Sequence, residues 1–94
     1  MNVKGEKTIL LVEDEAIIAM GQAKLLNRYG YEVVTAASGR EAIVAARENP
    51  AIDLILMDIN LGRGMDGTEA AALILRERNV PVVFLSSHTE PEVV

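Results

Sequence analysis

The stretch 54–60, Leu-Ile-Leu-Met-Asp-Ile-Asn, most constrains the possible fold, because four apolar residues end on a single carboxylate, that of Asp58. Short, continuously apolar runs are typical of strands buried on both faces of a parallel sheet. Open α/β sheets place their chemistry at the carboxyl ends of such strands. The run therefore predicts a parallel strand that delivers Asp58 to the rim of a sheet.

Three further β-rich runs alternate with segments of good helix formers, in the order β-α-β-α-β-α-β, and a helix start follows the last strand. Strands separated by helices pair in parallel through right-handed crossovers, so we predict a doubly wound parallel α/β sheet. Strands are expected at 8–12, 31–36, 53–58 and 82–85, and helices at 16–29, 39–48 and 68–78.

Local signals predict helix ends and buried faces. Ser38, with Glu41 three residues later, has the pattern of a capping box at the start of the second helix. Apolar residues at helical spacing predict the faces that pack on the sheet. The expected stripes are Ile18, Gly21, Leu25 and Arg28, with Ile17 beside them, on the first helix, and Ala71, Ile74, Leu75 and Arg78 on the third.

Charge and cysteine content narrow the range of partners. With 14 acidic against 9 basic residues the net charge is -5, and no basic stripe is present, so we expect no direct binding to nucleic acid. The absence of cysteine excludes a disulfide framework and a thiolate metal site. No apolar run approaches the length of a membrane span, so we expect a cytoplasmic chain without membrane contact.

Three predicted strand ends carry polar side chains: Glu13 with Asp14, then Asp58, then Ser86. The carboxyl ends of parallel strands share one edge, so these side chains are expected to converge. Carboxylates about 4 Å apart repel by roughly 4 kcal/mol, and a site with few carboxylates and open positions suits Mg²⁺ best. Taken alone, Glu13 and Asp14 are better explained as acids at a helix N-terminus, and Asp58 equally well as a loop cap. The combination with Ser86 favours a functional site.

Gly62, Gly64 and Gly67 match the spacing of the dinucleotide-binding fingerprint. That fingerprint begins where the first strand ends, whereas these glycines follow the third strand after an intervening segment. Asp58 and Asp66 would also repel a pyrophosphate. We therefore interpret the glycines as permitting tight turns in a loop.

Four segments together resemble the receiver domain of two-component response regulators, the CheY-like superfamily. The resemblance covers residues 1–94 as one domain and implies a flavodoxin-like fold with strand order 2-1-3-4. The segments are Ile-Leu-Leu-Val-Glu-Asp-Glu at 9–15, Asp-Leu-Ile-Leu-Met-Asp-Ile-Asn at 53–60, Met-Asp-Gly at 65–67 and Val-Pro-Val-Val-Phe-Leu-Ser-Ser at 80–87.

The resemblance implies a role for each matching residue. Asp58 would accept a phosphoryl group from a histidine kinase or phosphotransfer protein. Asp14, Asp58 and the backbone carbonyl of Asn60 would ligate Mg²⁺, and Glu13 would hold it through water. Ser86 would hydrogen-bond the phosphoryl group and act as a switch. Phosphoryl transfer needs an in-line nucleophile and neutralised equatorial oxygens, which fits this allocation.

The chain departs from the family's pattern in two places. After Asp58, the segment 62–64, Gly-Arg-Gly, replaces the usual hydrophobic residue and proline, and is expected to loosen the loop. A complete receiver continues to a fifth strand ending on a lysine, whereas here the last residue is Val94 and the last lysine is Lys24. We therefore expect a C-terminally incomplete receiver that lacks the fifth strand and last helices. Its bare fourth-strand edge predicts a homodimer or domain-swapped assembly.

Two other functions compete with that of a signalling phosphoacceptor. One is a receiver-like Mg²⁺-binding interaction module, poorly phosphorylated because the lysine is missing. The other is a Mg²⁺ phosphohydrolase of the haloacid dehalogenase class, disfavoured because Asn60 stands where that class has a second aspartate. We rank the phosphoacceptor first, with no catalysis beyond its own phosphorylation and dephosphorylation.

Overall fold

A computed structural model describes residues 6–62 and 64–85, so Ser86 and the helix start expected after it lie outside the described residues. Each element lies within one residue of its predicted bounds. The elements are β1 (Thr8–Val12), α1 (Ala16–Arg28), β2 (Glu32–Ala36), α2 (Gly39–Glu48), β3 (Ile52–Asp58), α3 (Gly67–Glu77) and β4 (Val82–Leu85). In these ranges, no helix is both long and apolar enough to cross a bilayer.

The four strands form one sheet in the order β2-β1-β3-β4, and every neighbouring pair is parallel. This confirms the predicted doubly wound fold and its strand order. All five residues of β1 are buried, as expected for an interior strand with a helix layer on each face. The C-terminal ends of β1 and β3 lie side by side, since Val12 pairs with Met57.

The main core lies between the sheet and the helices α2 and α3. Helix residues in this layer are mostly alanine, which lets both helices approach the strands closely. Burying each large strand side chain contributes roughly 1.5–3 kcal/mol. The core side chains are Leu10, Val12, Ile55 and Met57 from the strands, with Ala42, Ala46, Ala70, Ala71 and Ile74 from the helices.

The stripe predicted for α3 is partly wrong. Ala71 and Ile74 are buried as expected, but Leu75 is 48% exposed. The buried face instead includes Ala70, whose Cβ would lie 3.2 Å from a Cβ built on Gly39 of α2. Arg78, just after the helix, is half-buried.

The stripe predicted for α1 is wrong at three of its four positions. Gly21, Leu25 and Arg28 are exposed. The less exposed face instead contains Ile18 and Leu26, and no α1 residue is buried. This helix packs on β1 and β2. Ile18 and Leu26 are eight residues apart, and the residue midway between them on the packed face is the polar Gln22. The apolar pattern of this face is therefore interrupted in the sequence.

Helix capping follows the sequence only in part. The Ser38 hydroxyl accepts the Glu41 N–H at 3.1 Å, but the Glu41 carboxylate accepts the N–H of Ala37. The predicted capping box of α2 is therefore half formed. A complete box starts α3, where Asp66 accepts the N–H of Glu69 and the Glu69 carboxylate accepts the N–H of Asp66.

Candidate functional site

The carboxyl ends of β1 and β3 bring three acidic side chains together. One carboxylate oxygen from each of Glu13, Asp14 and Asp58 lies within 4.8 Å of the others. The parallel pairing of β1 with β3 explains this, since Glu13 and Asp58 follow directly on the paired residues Val12 and Met57. Residues far apart in sequence thus converge at one edge of the sheet.

The three carboxylates differ sharply in exposure. Glu13 is 4% and Asp58 2% exposed, whereas Asp14 lies at the surface. Two acids are therefore withdrawn from water, and the third borders solvent. A ligand can enter this cluster from the side of Asp14.

Backbone amides orient the two buried carboxylates. The N–H of Glu15 donates to Oε2 of Glu13 at 3.0 Å, and the N–H of Asn60 donates to Oδ1 of Asp58 at 3.0 Å. Neither bond brings a compensating positive charge. The two side chains are thus held in place by neutral backbone donors.

The pKa of Glu13 is raised to about 7, chiefly by burial; the N–H of Glu15 opposes the shift, and the nearby negative charge of Asp58 contributes to it. A cluster of hard oxygen donors with this electrostatic strain fits Mg²⁺. A divalent cation would compensate the repulsion that the fold imposes on these side chains.

An open cavity of about 550 Å³ adjoins the cluster. Asn60, expected to offer a backbone carbonyl, lies in its wall beside Asp14. Three carboxylates, those of Asp14, Glu15 and Asp66, make the wall of this cavity negative. Its lining residues are Asp14, Glu15, Ile59, Asn60, Leu61, Gly62 and Asp66.

Ser86, the expected hydroxyl partner, lies outside the described residues. The residue before it, Leu85, pairs with Asp58 in the sheet. The carbonyl of Leu85 also accepts the N–H of Ile59 at 2.9 Å. The end of β4 therefore lies beside Asp58, and the role of Ser86 stays a prediction.

Two glycines near the site, Gly62 and Gly67, do more than permit the tight turns that the sequence predicts: each leaves room for a close contact. A Cβ on Gly67 would overlap the backbone carbonyl of Asp58, and one on Gly62 would lie 2.9 Å from Oδ2 of Asp14. Gly62 and Gly64 do adopt positive φ, of 72° and 84°, as tight turns require. The Met-Asp-Gly motif already drew attention to Gly67, but nothing in the sequence indicated that Gly62 lies close to Asp14.

Known proteins resemble this chain in both sequence and structure. The family model of the response regulator receiver domain matches residues 9–94. The transcriptional regulatory protein PdtaR of Mycobacterium tuberculosis is 37% identical over 89 residues, which cover 94% of this chain and 42% of that protein. The chain thus spans less than half the length of this curated relative.

Two solved structures share the fold closely. The N-terminal domain of a response regulator/sensory box/GGDEF protein from Carboxydothermus hydrogenoformans has a TM-score of 0.83 and 49% identity, over 94% of this chain and 70% of that one. The response regulator TrrA of Thermotoga maritima, in complex with Mg²⁺-BeF, has a TM-score of 0.80 and 31% identity, over 88% and 71% of the two chains.

Proposed function

Because this chain belongs to the response regulator receiver domain family, we propose that it accepts a phosphoryl group on Asp58 with Mg²⁺ as cofactor. The donor is a phosphohistidine of a histidine kinase or phosphotransfer protein. The observation that carries the proposal is the cluster of Glu13, Asp14 and Asp58 at the carboxyl edge of the sheet. The complex of the relative TrrA with Mg²⁺-BeF adds support.

The site residues divide the work of the proposed reaction. Asp14, Asp58 and the carbonyl of Asn60 would hold Mg²⁺, with Glu13 acting through water, and Asp58 is also the nucleophile. The bound ion supplies positive charge to the phosphoryl oxygens. A carboxylate oxygen of Asp58 forms the bond to phosphorus while the bond from phosphorus to the donor imidazole nitrogen breaks. Ser86 hydrogen-bonds the transferred group.

The orientation of Asp58 favours this transfer. Its bond from the N–H of Asn60 fixes the side chain before any donor arrives, so little freedom is lost on reaction. Burial of Asp58 keeps competing water away from the nucleophile. These are properties of a signalling phosphoacceptor, and the absence of cysteine fits a cytoplasmic location.

Incubation with acetyl phosphate and Mg²⁺, followed by intact-mass measurement, tests the proposal. We expect one added phosphoryl group in the wild type and none in Asp58→Asn. Glu15→Gln is the matched control, because it removes a neighbouring exposed charge but keeps the backbone N–H that holds Glu13. Mg²⁺ binding without modification would support the poorly phosphorylated interaction module instead. Equal modification of Asp58→Asn and wild type would contradict the proposal.

We also propose that two copies of the 94-residue chain associate through β4. Among the described strands β4 pairs only with β3, and its residues Val83 and Phe84 are 44% and 43% exposed. An apolar edge strand is a template for pairing with another chain. Light scattering should give a dimer at micromolar concentration that Val83→Lys weakens and Leu25→Lys, on exposed α1, leaves intact. A wild-type monomer would contradict this association.

A further inference from the structure

The loop after β3 approaches the exposed member of the acidic cluster at Gly62. An ideal Cβ built on Gly62 would lie 2.9 Å from Oδ2 of Asp14, closer than real Cβ contacts. We propose that Gly62 is a positioning residue: its missing side chain leaves the space in which the Asp14 carboxylate joins Glu13 and Asp58 around one cation. This inference rests on the proposed Mg²⁺ site.

The contact matters for Asp14 because of how the three carboxylates are held. Glu13 and Asp58 are buried, and each accepts a backbone N–H that fixes its orientation. Asp14 is exposed, so its carboxylate can rotate away from an intruding methyl group. Such a rotation would cost the folded chain little. It would, however, take a ligand oxygen away from the cation.

Gly62 also lies on the solvent side of the proposed Mg²⁺ site. Gly62, Asp14 and Asn60 line the same open cavity. A side chain at position 62 would therefore crowd the solvent side of the site. Position 62 therefore requires glycine for two reasons: the backbone has a positive φ, and there is no space for a side chain.

Gly64 separates these two effects. Gly62 and Gly64 both have positive φ, at 72° and 84°, so an alanine at either position is strained to a similar extent. A Cβ on Gly64 would meet nothing within 4 Å. The difference between Gly62→Ala and Gly64→Ala therefore reports the contact with Asp14.

Calorimetric titration with MgCl₂ tests the inference on the wild type, Gly62→Ala and Gly64→Ala. We expect Gly62→Ala to bind Mg²⁺ about tenfold more weakly than Gly64→Ala, the size of effect typical for disturbed support of a metal ligand. Without Mg²⁺, both variants should melt at similar temperatures. In an Asp14→Ala background the two glycine variants should bind Mg²⁺ equally, since the side chain that a Cβ at position 62 would crowd is gone.

Several outcomes would overturn the inference. Equal Mg²⁺ affinity of Gly62→Ala and Gly64→Ala would do so while leaving the proposed function intact, and so would a difference that persists without the Asp14 carboxylate. A wild type that binds no Mg²⁺ would overturn the proposed function and this inference with it. If alanine at position 62 prevents folding, Gly62→Asn and Gly64→Asn form the second pair, because asparagine tolerates positive φ better. The same order of affinities is expected.

Discussion

The backbone carbonyl of Asp58 packs against the α-carbon of Gly67, so closely that a Cβ at position 67 would overlap the carbonyl oxygen. That Cβ would also lie 3.0 Å from Cγ of Met57. The Gly67 N–H donates to the carbonyl of Ile59 at 3.2 Å, which ties the start of α3 to the strand end. The helix thus buttresses the backbone that carries the proposed nucleophile.

Gly67→Ala should lower the free energy of unfolding by about 3 kcal/mol, because the atoms that a methyl group would meet are buried backbone. Gly21→Ala is the control: it lies on exposed α1 with nothing within 4 Å, and alanine there should stabilise the helix by about 1 kcal/mol. Urea denaturation of both variants measures the two effects. Similar values for the two would contradict the close packing of Gly67.

Mg²⁺ should raise the melting temperature of the wild type, because it binds the folded carboxylate cluster and relieves its repulsion. At a free concentration of 100 times the dissociation constant, the gain is about 2.7 kcal/mol. Asp14→Asn should show a much smaller shift in a thermal scan, and Glu15→Gln an unchanged one. No effect at millimolar Mg²⁺ would falsify a shared site of Glu13, Asp14 and Asp58.

Without metal, the chain should become more stable as the pH falls from about 7 toward 4.5. Burial raises the pKa of Glu13 to about 7 from 4.5, so in this window the folded chain binds a proton that the unfolded chain releases. The free energy of unfolding therefore decreases as pH rises through the window. Asp66 and Glu77, whose pKa values are lowered by hydrogen bonds to the Glu69 N–H and the Arg47 side chain, act in the opposite direction only at lower pH.

Thermal melts in a chelating buffer between pH 5 and 8 measure this dependence. Glu13→Gln should remove the Glu13 contribution and be more stable than wild type at pH 8. The difference between the two profiles reports Glu13 together with its electrostatic coupling to the neighbouring carboxylates. Parallel profiles would show that the pKa of Glu13 is close to its ordinary value.

Arg78 should contribute far more stability than Arg47, although both are arginines near the α2–α3 contact. The Arg78 guanidinium donates to the carbonyls of Ala46 and Ile52 at 2.8 and 2.7 Å, and also to two carbonyls between them. It thereby fixes the segment that leads from α2 into β3. Arg47 instead forms a bidentate ion pair with Glu77, and the side chains of these two residues are 58% and 52% exposed.

We expect Arg78→Ala to lower the free energy of unfolding by about 2 kcal/mol, since it leaves several carbonyls without their donor. Arg47→Ala should lower it far less, because an exposed ion pair is screened by water. Denaturant titrations of the two variants compare these values. A larger loss for Arg47→Ala would contradict the assigned role of Arg78.

The sequence by itself determined the order and bounds of the helices and strands, because hydrophobic periodicity and turn residues act locally. It also determined that Glu13 and Asp58 meet, since parallel strands align their carboxyl ends at one edge. The turns at the glycines of the loop after β3 follow from equally local patterns. Family resemblance then assigned chemistry to residues that the topology had already grouped.

Only the tertiary structure decided which faces pack and how closely groups approach. On α1, Leu26 packs toward the sheet and Leu25 is exposed, because adjacent residues of a helix point to different faces and only one face contacts the sheet. It set the burial that raises the pKa of Glu13 and the contact between Gly62 and Asp14. These quantities depend on distances between segments far apart in the chain, and a one-dimensional pattern does not contain such distances.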